Sequence, residues 1–272
     1  MTVVIDKPKA TSAATTAFCA TKIYGPSDGF LWIDGNGKIT ANNGTLDDPK
    51  PNAFSLVEIQ DCPGSTEVCR AACYVHGLKK HAPATHALYV HNSKMIRQIL
   101  ATKGPENRWS LIVGQWIEKN CQGGFRWHVS GDVFSLEYAY WIAQVVGFST
   151  TVDHWIYTRS FDFIGPLVAM SRQRGGNLAI NLSCDSENYF KALRLANEFK
   201  LRLCYLTRDG RVPENLPDGS VIFPDYNLRG GTAEGAAWFA NLPAHYKSFV
   251  CPVDFHGKSD RRRCGPCDRC MF

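Results

Sequence analysis

The sequence predicts an α/β protein whose parallel sheet forms a full or partial (β/α) barrel, with an open doubly wound sheet as the alternative. Three observations support this fold class: strand and helix patterns alternate from residue 125 onward, hairpin signals stand near the N-terminus, and a cysteine-rich segment closes the chain. Strands that alternate with helices join into right-handed βαβ units, which build a parallel sheet. With 272 residues, 44% of them hydrophobic, we expect one domain over residues 1–272.

The N-terminal part of the chain predicts antiparallel strands followed by helices. Residues 1–14 lack periodicity and predict a loose arm. In "FLWIDGNGKITANNG" the turn residues DGNG separate two short apolar runs, which indicates a β-hairpin. "FSLVEIQDCPGSTEVCRAACYVHG" predicts a strand, a Pro-Gly turn and a helix. "ATHALYVHNSKMIRQILATKG" predicts a helix that ends at Gly104-Pro105.

The alternating part of the chain predicts five strands, most of them followed by a helix. The strands are FRWHVSGD, DHWIYTRS, NLAINLS, LRLCYLTRDG and SVIFPDYN, and the helices are SLEYAYWIAQVVGF, FIGPLVAMSRQRGG and SENYFKALRLANEF. In either architecture, functional residues lie at the carboxyl ends of the parallel strands. Five strand ends carry polar pairs: Ser130 and Asp132, Thr158 and Arg159, Ser183 and Asp185, Thr207 and Arg208, Asp225 and Asn227.

These strand ends predict a polar cavity, although single residues among them also fit helix caps. The two-residue period of a strand places His128 on the same face as Arg126, directed into the barrel. We therefore expect a cavity lined by His128, Ser130, Asp132 and Arg159. There His128 or Asp132 would move protons, and Arg159 would bind an anionic group.

Composition narrows the classes of function. No apolar run long enough for a signal peptide stands in MTVVIDKPKATSAATT, and no stretch approaches the roughly 18 apolar residues of a membrane span. We therefore expect a cytoplasmic protein. Eleven cysteines in a reducing compartment favour metal binding or catalysis over disulfides. The net charge of +5 is too modest to indicate a nucleic-acid surface by itself.

The first cysteine group has the spacing C-x6-C-x3-C. Cys69 and Cys73 stand four residues apart on a predicted helix, which places both sulfurs on one face, and Cys62 joins them from the strand end across a Pro-Gly turn. Three thiolates would then converge. The alternative is that these are core residues, since buried cysteine behaves as a small hydrophobe.

The second group lies in the tail, residues 250–272, and has the pattern C-x2-C-x2-C preceded by a Cys-Pro. Its members are Cys251, Cys264, Cys267 and Cys270. They fit a closed zinc site or a [4Fe-4S] cluster. A three-cysteine group suits a cluster with one open iron better than structural zinc, so we favour iron and sulfur, with one or two clusters. Four tail arginines could offset the charge of a cluster or, on a zinc module, contact phosphate: Arg261, Arg262, Arg263 and Arg269.

The other cysteines are isolated along the chain: Cys19, Cys121, Cys184 and Cys204. Cys204 stands within "LRLCYL" and predicts a core residue, whereas Cys184 adjoins a polar strand end and is the stronger candidate for a role in the site.

Taken together, "CPGSTEVCRAACY", "FRWHVSGDVFS", "WIYTRS", "NLAINLSCDS" and "CPVDFHG…RRRCGPCDRC" resemble the gene product eighty-eight family of phage proteins. The resemblance covers roughly residues 55 to 272 and implies a viral origin and expression in the host cytoplasm. It does not imply any particular reaction. The order of strands and cysteines is also similar, in part, to radical S-adenosylmethionine enzymes. Their usual spacing is C-x3-C-x2-C, and no convincing glycine-rich methionine-binding segment is present here.

These observations predict an iron–sulfur protein with a redox role, either electron transfer to or from a host partner or cluster-based chemistry in the cavity. If it is an enzyme, it would be an iron–sulfur oxidoreductase or a radical-type enzyme. The alternative is a zinc-stabilised module that binds nucleic acid or protein, in which the tail arginines make the contacts.

Overall fold

The computed structural model describes residues 19–26, 29–35, 50–102, 107–173, 176–257, 267 and 269–271. The strands in chain order are β1 (Cys19–Tyr24), β2 (Phe30–Gly35), β3 (Ala53–Phe54), β4 (Phe125–Trp127), β5 (His154–Thr158), β6 (Leu178–Cys184), β7 (Arg202–Thr207) and β8 (Val221–Pro224). The helices are α1 (Glu67–Ala71), α2 (Leu78–His81), α3 (Pro83–Ala101), α4 (Trp109–Asn120), α5 (Leu136–Gly147), α6 (Gly165–Gln173), α7 (Tyr189–Phe199), α8 (Ala233–Asn241), α9 (Ala244–Lys247) and α10 (Pro252–His256).

The strands form one mostly parallel sheet in which each strand pairs with the next along the chain, from β1 to β8. The pairs β1–β2 and β2–β3 are antiparallel, and the pairs from β3–β4 to β7–β8 are parallel. This sequential order lacks the reversal that marks a doubly wound sheet. Among the described strands β1 and β8 do not pair, so the sheet is open. The predicted α/β class with a parallel sheet is confirmed, whereas closure into a barrel is not.

One face of the sheet, here called the helix face, packs against the helices and forms the main core. Trp127 of β4 contacts Trp141 of α5 edge to face, with ring centroids 6.1 Å apart. The Trp127 indole N–H donates to Nδ1 of His154 on β5 at 3.2 Å. Burial of each such large side chain contributes roughly 1.5–3 kcal/mol. This layer therefore fixes the strands whose ends carry the polar residues.

The opposite face, here called the tail face, is covered in part by the C-terminal segment. Cys204 of β7 and Val221 of β8 pack with Cys251 and Val253 in one buried cluster. Trp155 packs against Met271 in a second cluster. The described part of the cysteine-rich tail therefore lies against the sheet.

Several predicted elements differ from those observed. The first hairpin consists of β1 and β2, while the second half of "FLWIDGNGKITANNG" and the arm at 1–14 lie outside the described residues. The strand predicted from "FSLVEIQ" is limited to Ala53–Phe54, because the next amides bond to loops: Leu56 N–H donates to the Ser130 carbonyl at 2.9 Å. Helices α4 and α8 were not predicted. None of the helices in the described part of the chain is long and apolar enough to cross a membrane.

Candidate functional site

The first cysteine group lies in the connection from β3 to α3, at the carboxyl edge of the parallel strands. We call residues 61–73 the cysteine loop. Asp61, at its start, is fully buried, and its carboxylate accepts from Arg97 Nη2 at 2.5 Å, from the Val57 amide at 3.2 Å and from Ser93 Oγ. The Asp61 carbonyl accepts from the Asp132 amide at 2.8 Å. These bonds fix the backbone from which Cys62 projects.

The Pro63-Gly64 turn packs directly on the end of β5. A Cβ atom placed on Gly64 would stand 2.1 Å from the Arg159 carbonyl oxygen and 2.9 Å from the Ser160 nitrogen. No side chain fits at that distance, because both neighbours are backbone atoms. Glycine is therefore required for the loop to approach the sheet this closely.

Helix α1 begins at a polar contact with β6. Thr66 caps the helix: its Oγ1 accepts from the Cys69 amide at 3.0 Å and donates to Asp185 Oδ2 at 2.5 Å. The Glu187 carboxylate accepts from the amides of Glu67 and Val68 at 3.1 and 3.0 Å. The segment that carries Cys69 is thus held by the loop between β6 and α7.

Beneath the cysteine loop lies a buried ion pair. Arg159 Nη1 contacts Asp185 Oδ2 at 2.5 Å, and the two side chains are 7% and 0% exposed. Arg159 Nη2 donates to the Cys184 carbonyl at 3.4 Å. The Asp132 carboxylate accepts from the amides of Arg159 and Val133 at 2.8 and 2.7 Å. Burial raises the pKa of Asp132, while hydrogen bonds lower it.

The three thiols of the cysteine loop are partly exposed and lie close enough to influence one another. Burial raises the pKa of Cys62, and the negative charge of Asp132 adds to that rise. Burial also raises the pKa of Cys69 and of Cys73, and the Arg159 guanidinium opposes the rise at Cys69. The predicted common helix is wrong in one respect: α1 ends at Ala71, so Cys73 lies just beyond it.

The predicted orientation of His128 is wrong. Its backbone φ is +60°, which breaks the strand alternation after Trp127, and Nε2 hydrogen-bonds the Tyr138 hydroxyl of α5 at 2.8 Å. Burial lowers the pKa of His128 to about 3, and the charge of Arg126 adds to this. The ring is therefore neutral at pH 7 and packs toward the helices.

The four predicted catalytic residues are all buried: His128, Ser130, Asp132 and Arg159. The hydroxyl of Ser130 and Nδ1 of His128 have no hydrogen-bond partner within the described residues. Two surface cavities of about 380 and 420 Å³ are lined by other residues, among them Trp238 for the first and Arg202 for the second. Neither cavity opens onto the predicted catalytic group.

The tail cysteines lie in a different place from the cysteine loop. Cys251 is buried, and Cys267 and Cys270 are partly exposed, while Cys264 and Arg261 to Arg263 fall outside the described residues. The Cys270 carbonyl accepts from Asn181 Nδ2 at 2.8 Å. Asn181 and Asp185 are four residues apart on and after β6, which corresponds to about 13 Å along a strand. The two cysteine groups are therefore separated along the sheet.

Cys204 is a residue whose surroundings the sequence did not reveal. It is fully buried, as predicted for a core residue, yet it lies on the tail face and its thiol hydrogen-bonds Cys270. That hydrogen bond is the main cause that lowers the pKa of Cys270, while burial raises the pKa of Cys204. Cys184, in contrast, packs in the helix-face core. No local pattern could have distinguished the two.

Within the described ranges, no three side chains of His, Cys, Asp or Glu form a group that could hold a metal ion as they stand. The cysteines of both groups that the structure describes are free thiols.

Comparison with known proteins identifies a family. No curated protein and no solved structure matches the chain. The model of the family described as Gene product 88 matches residues 31–272, which confirms the family resemblance stated from the sequence. The partial similarity to radical S-adenosylmethionine enzymes receives no support from these comparisons. The chain belongs to the Gene product 88 family.

Proposed function

We propose that the protein is an iron–sulfur protein in which Cys62, Cys69 and Cys73 bind a [4Fe-4S] cluster and that its role is electron transfer. The observation that carries this proposal is the cysteine loop itself. One short segment at the carboxyl edge of the sheet carries three thiols that are partly open to solvent, and buried polar contacts hold that segment in place.

The donor set fits the cluster. Three thiolates bind three irons of a cube and leave the fourth for another ligand, whereas structural zinc sites use four protein ligands. When bound, such a cluster accepts and donates single electrons. The chain's own contribution is to hold the thiols: Asp61 anchors the start of the loop, Gly64 allows its close approach to β5, and Thr66 orients the Cys69 amide.

The contacts below the loop favour electron transfer over chemistry in a cavity. Asp132 has both carboxylate oxygens bound by backbone amides, and Arg159 is paired with Asp185. Both side chains are buried and are held by contacts within the protein. We therefore assign Asp132 and Arg159 to positioning the cysteine loop, in place of the proton transfer and anion binding that the sequence suggested.

Membership of the Gene product 88 family supports a further part of the proposal, which concerns where the protein works. A phage protein of this kind would work in the host cytoplasm and exchange electrons with a host redox protein. The partly exposed thiols would bring the cluster near the surface, where a partner can approach.

The test is the iron content of single-cysteine variants purified without oxygen. We expect Cys69→Ala to lose the iron bound at the cysteine loop together with its sulfide, and to lose the paramagnetic signal that appears on reduction with dithionite. Cys121→Ala is the matched control, because Cys121 is fully buried on the helix face, away from both cysteine groups. If Cys69→Ala and Cys121→Ala retain equal iron, the proposed cluster site is wrong.

A further inference from the structure

A surface cavity of about 420 Å³ lies at the amino edge of the parallel sheet, opposite the edge that carries the cysteine loop. Three parts of the chain line it: the start of β7, the turn into β8 and the C-terminal segment. The lining residues include Arg202, Ser220, Val221, Ser248, Phe249 and Arg269. Its volume falls within the range of small-molecule sites, which is about 300–1,000 Å³.

The lining of this cavity is positively charged. Arg202 and Arg269 contribute two guanidinium groups, which stay protonated in proteins. Among the described residues that line the cavity there is no carboxylate to neutralise them. Two like charges that border one cavity repel each other, and an anion bound between them would offset this repulsion.

Both guanidinium groups are held in place by the protein. Arg269 Nη1 donates to the carbonyls of Ser248 and Val250, at 2.5 and 3.4 Å. Arg202 Nη1 donates to Asn181 Oδ1 at 3.4 Å. In each case Nη1 anchors a planar fork that carries five N–H donors, a geometry that matches the oxygens of a phosphate group.

A buried hydroxyl adds a second, independent indication of a ligand. Ser220 is only 4% exposed, and its Oγ has no hydrogen-bond partner within the described part of the chain. The Ser220 amide donates to the Pro217 carbonyl at 3.1 Å, so the turn holds this residue at the cavity wall. An unpaired buried hydroxyl is unfavourable, and a phosphate oxygen could accept its hydrogen bond.

We propose that this cavity binds the phosphate group of a small molecule, with Arg202, Arg269 and Ser220 as hydrogen-bond donors. The volume and the ring of Phe249 in the wall favour an organic phosphate, whose apolar part would pack against that ring. The site lies at the other edge of the sheet from the cysteine loop, and the proposal does not depend on the iron–sulfur cluster proposed there.

The test is calorimetric titration of the wild-type protein with inorganic phosphate and with phenyl phosphate, at neutral pH and constant ionic strength. We expect phenyl phosphate to bind at least about fourfold more tightly, the factor that burial of a single CH₂ group contributes. Equal affinity for the two compounds would still support the phosphate site and would assign it to free phosphate.

Two variants and a matched control locate the site. Arg269→Gln and Ser220→Ala should each weaken phenyl phosphate binding about tenfold or more, the cost of losing a hydrogen bond to a charged group. Ser220→Ala should not lower the stability of the unliganded protein, because its hydroxyl has no partner to lose among the described residues. Arg211→Gln removes the same charge from an exposed side chain outside the cavity and should bind as the wild type does.

The proposal is overturned if neither compound shows saturable binding to the wild type. It is also overturned if Arg211→Gln weakens binding as much as Arg269→Gln, or if Arg269→Gln and Ser220→Ala both keep wild-type affinity. Iron at the cysteine loop is measured separately, so failure here leaves the proposed cluster standing.

Discussion

Thr66 joins the cysteine loop to the end of β6, and its replacement by valine tests how firmly the loop is held. The hydroxyl makes two bonds at once: it accepts from the Cys69 amide at 3.0 Å and donates to Asp185 at 2.5 Å. Valine has nearly the same shape as threonine but can form neither hydrogen bond. The Asp185 carboxylate is fully buried, so water cannot readily replace the lost donor.

The expected cost follows from the two bonds. Loss of an N-cap hydroxyl costs about 1 kcal/mol, and loss of a hydrogen bond to a charged group costs about 1.5–3 kcal/mol. The sum is about 2.5–4 kcal/mol, which is a large share of the stability of a single domain. Thr66→Ser keeps the hydroxyl and should stay within about 0.5 kcal/mol of the wild type.

The assay is unfolding in urea followed by the fluorescence of the seven tryptophans, with equal slopes required before midpoints are compared. Thr66→Val should also bind less iron, since the Cys69 amide loses its partner. The reasoning is refuted if Thr66→Val is as stable as the wild type, or if Thr66→Ser is destabilised as much as Thr66→Val.

Three further predictions concern the same framework. Gly64→Ala should lower the free energy of unfolding by about 1–3 kcal/mol and lower the iron content, because the new Cβ would meet the Arg159 carbonyl. Gly165→Ala is the control and should change neither quantity, because its Cβ would meet nothing within 4 Å. Equal behaviour of the two variants would contradict the close approach of the loop to β5. Arg159→Met should lower the free energy of unfolding by about 3–5 kcal/mol, because Asp185 is left buried without its cation. The double variant Arg159→Met/Asp185→Asn should lose less stability than the sum of the two single variants. If the two losses simply add, the ion pair does not stabilise the protein. Burial lowers the pKa of His154 to about 3 from 6.5, so the unfolded chain takes up this proton first and stability falls as pH drops below about 6.5, by about 2 kcal/mol at pH 5. Urea unfolding at pH 5 and pH 7 should show that the stability of His154→Gln falls by about 2 kcal/mol less between the two pH values than that of the wild type. If the two proteins lose equal stability, the His154 ring is not the cause.

The sequence predicted the alternating part of the fold well, for a physical reason. Each strand from β4 to β8 is a short apolar run bounded by turn residues, and each of the helices α5, α6 and α7 carries a helical period with capping signals, so local patterns were sufficient. The helix over residues 83–101 was found in the same way. Closure of the sheet depends on pairing between distant edges, which no local pattern encodes.

The candidate site was only partly predictable. The spacing of Cys62, Cys69 and Cys73 placed three thiols together, and the positions of Asp132 and Arg159 at strand ends placed them nearby. Their pairing with backbone amides and with Asp185 depends on contacts between different strands. The sequence therefore indicated which of these residues lie near one another, but not the contacts that they make.

His128 and Cys204 show where strand periodicity fails. The positive φ of His128 rotates its side chain away from the face that the two-residue period assigns. For Cys204 the period is right, but its neighbour is Cys270 in the tail, and only the folded chain brings the two sulfurs into contact.

The most direct test of the central claim is the visible absorption spectrum of the protein purified without oxygen, measured together with its iron and sulfide content. The proposed cluster predicts a brown protein with a broad band near about 400 nm and about four irons and four sulfides per chain. A colourless protein without sulfide would contradict the iron–sulfur function and leave the cysteine loop in need of another explanation.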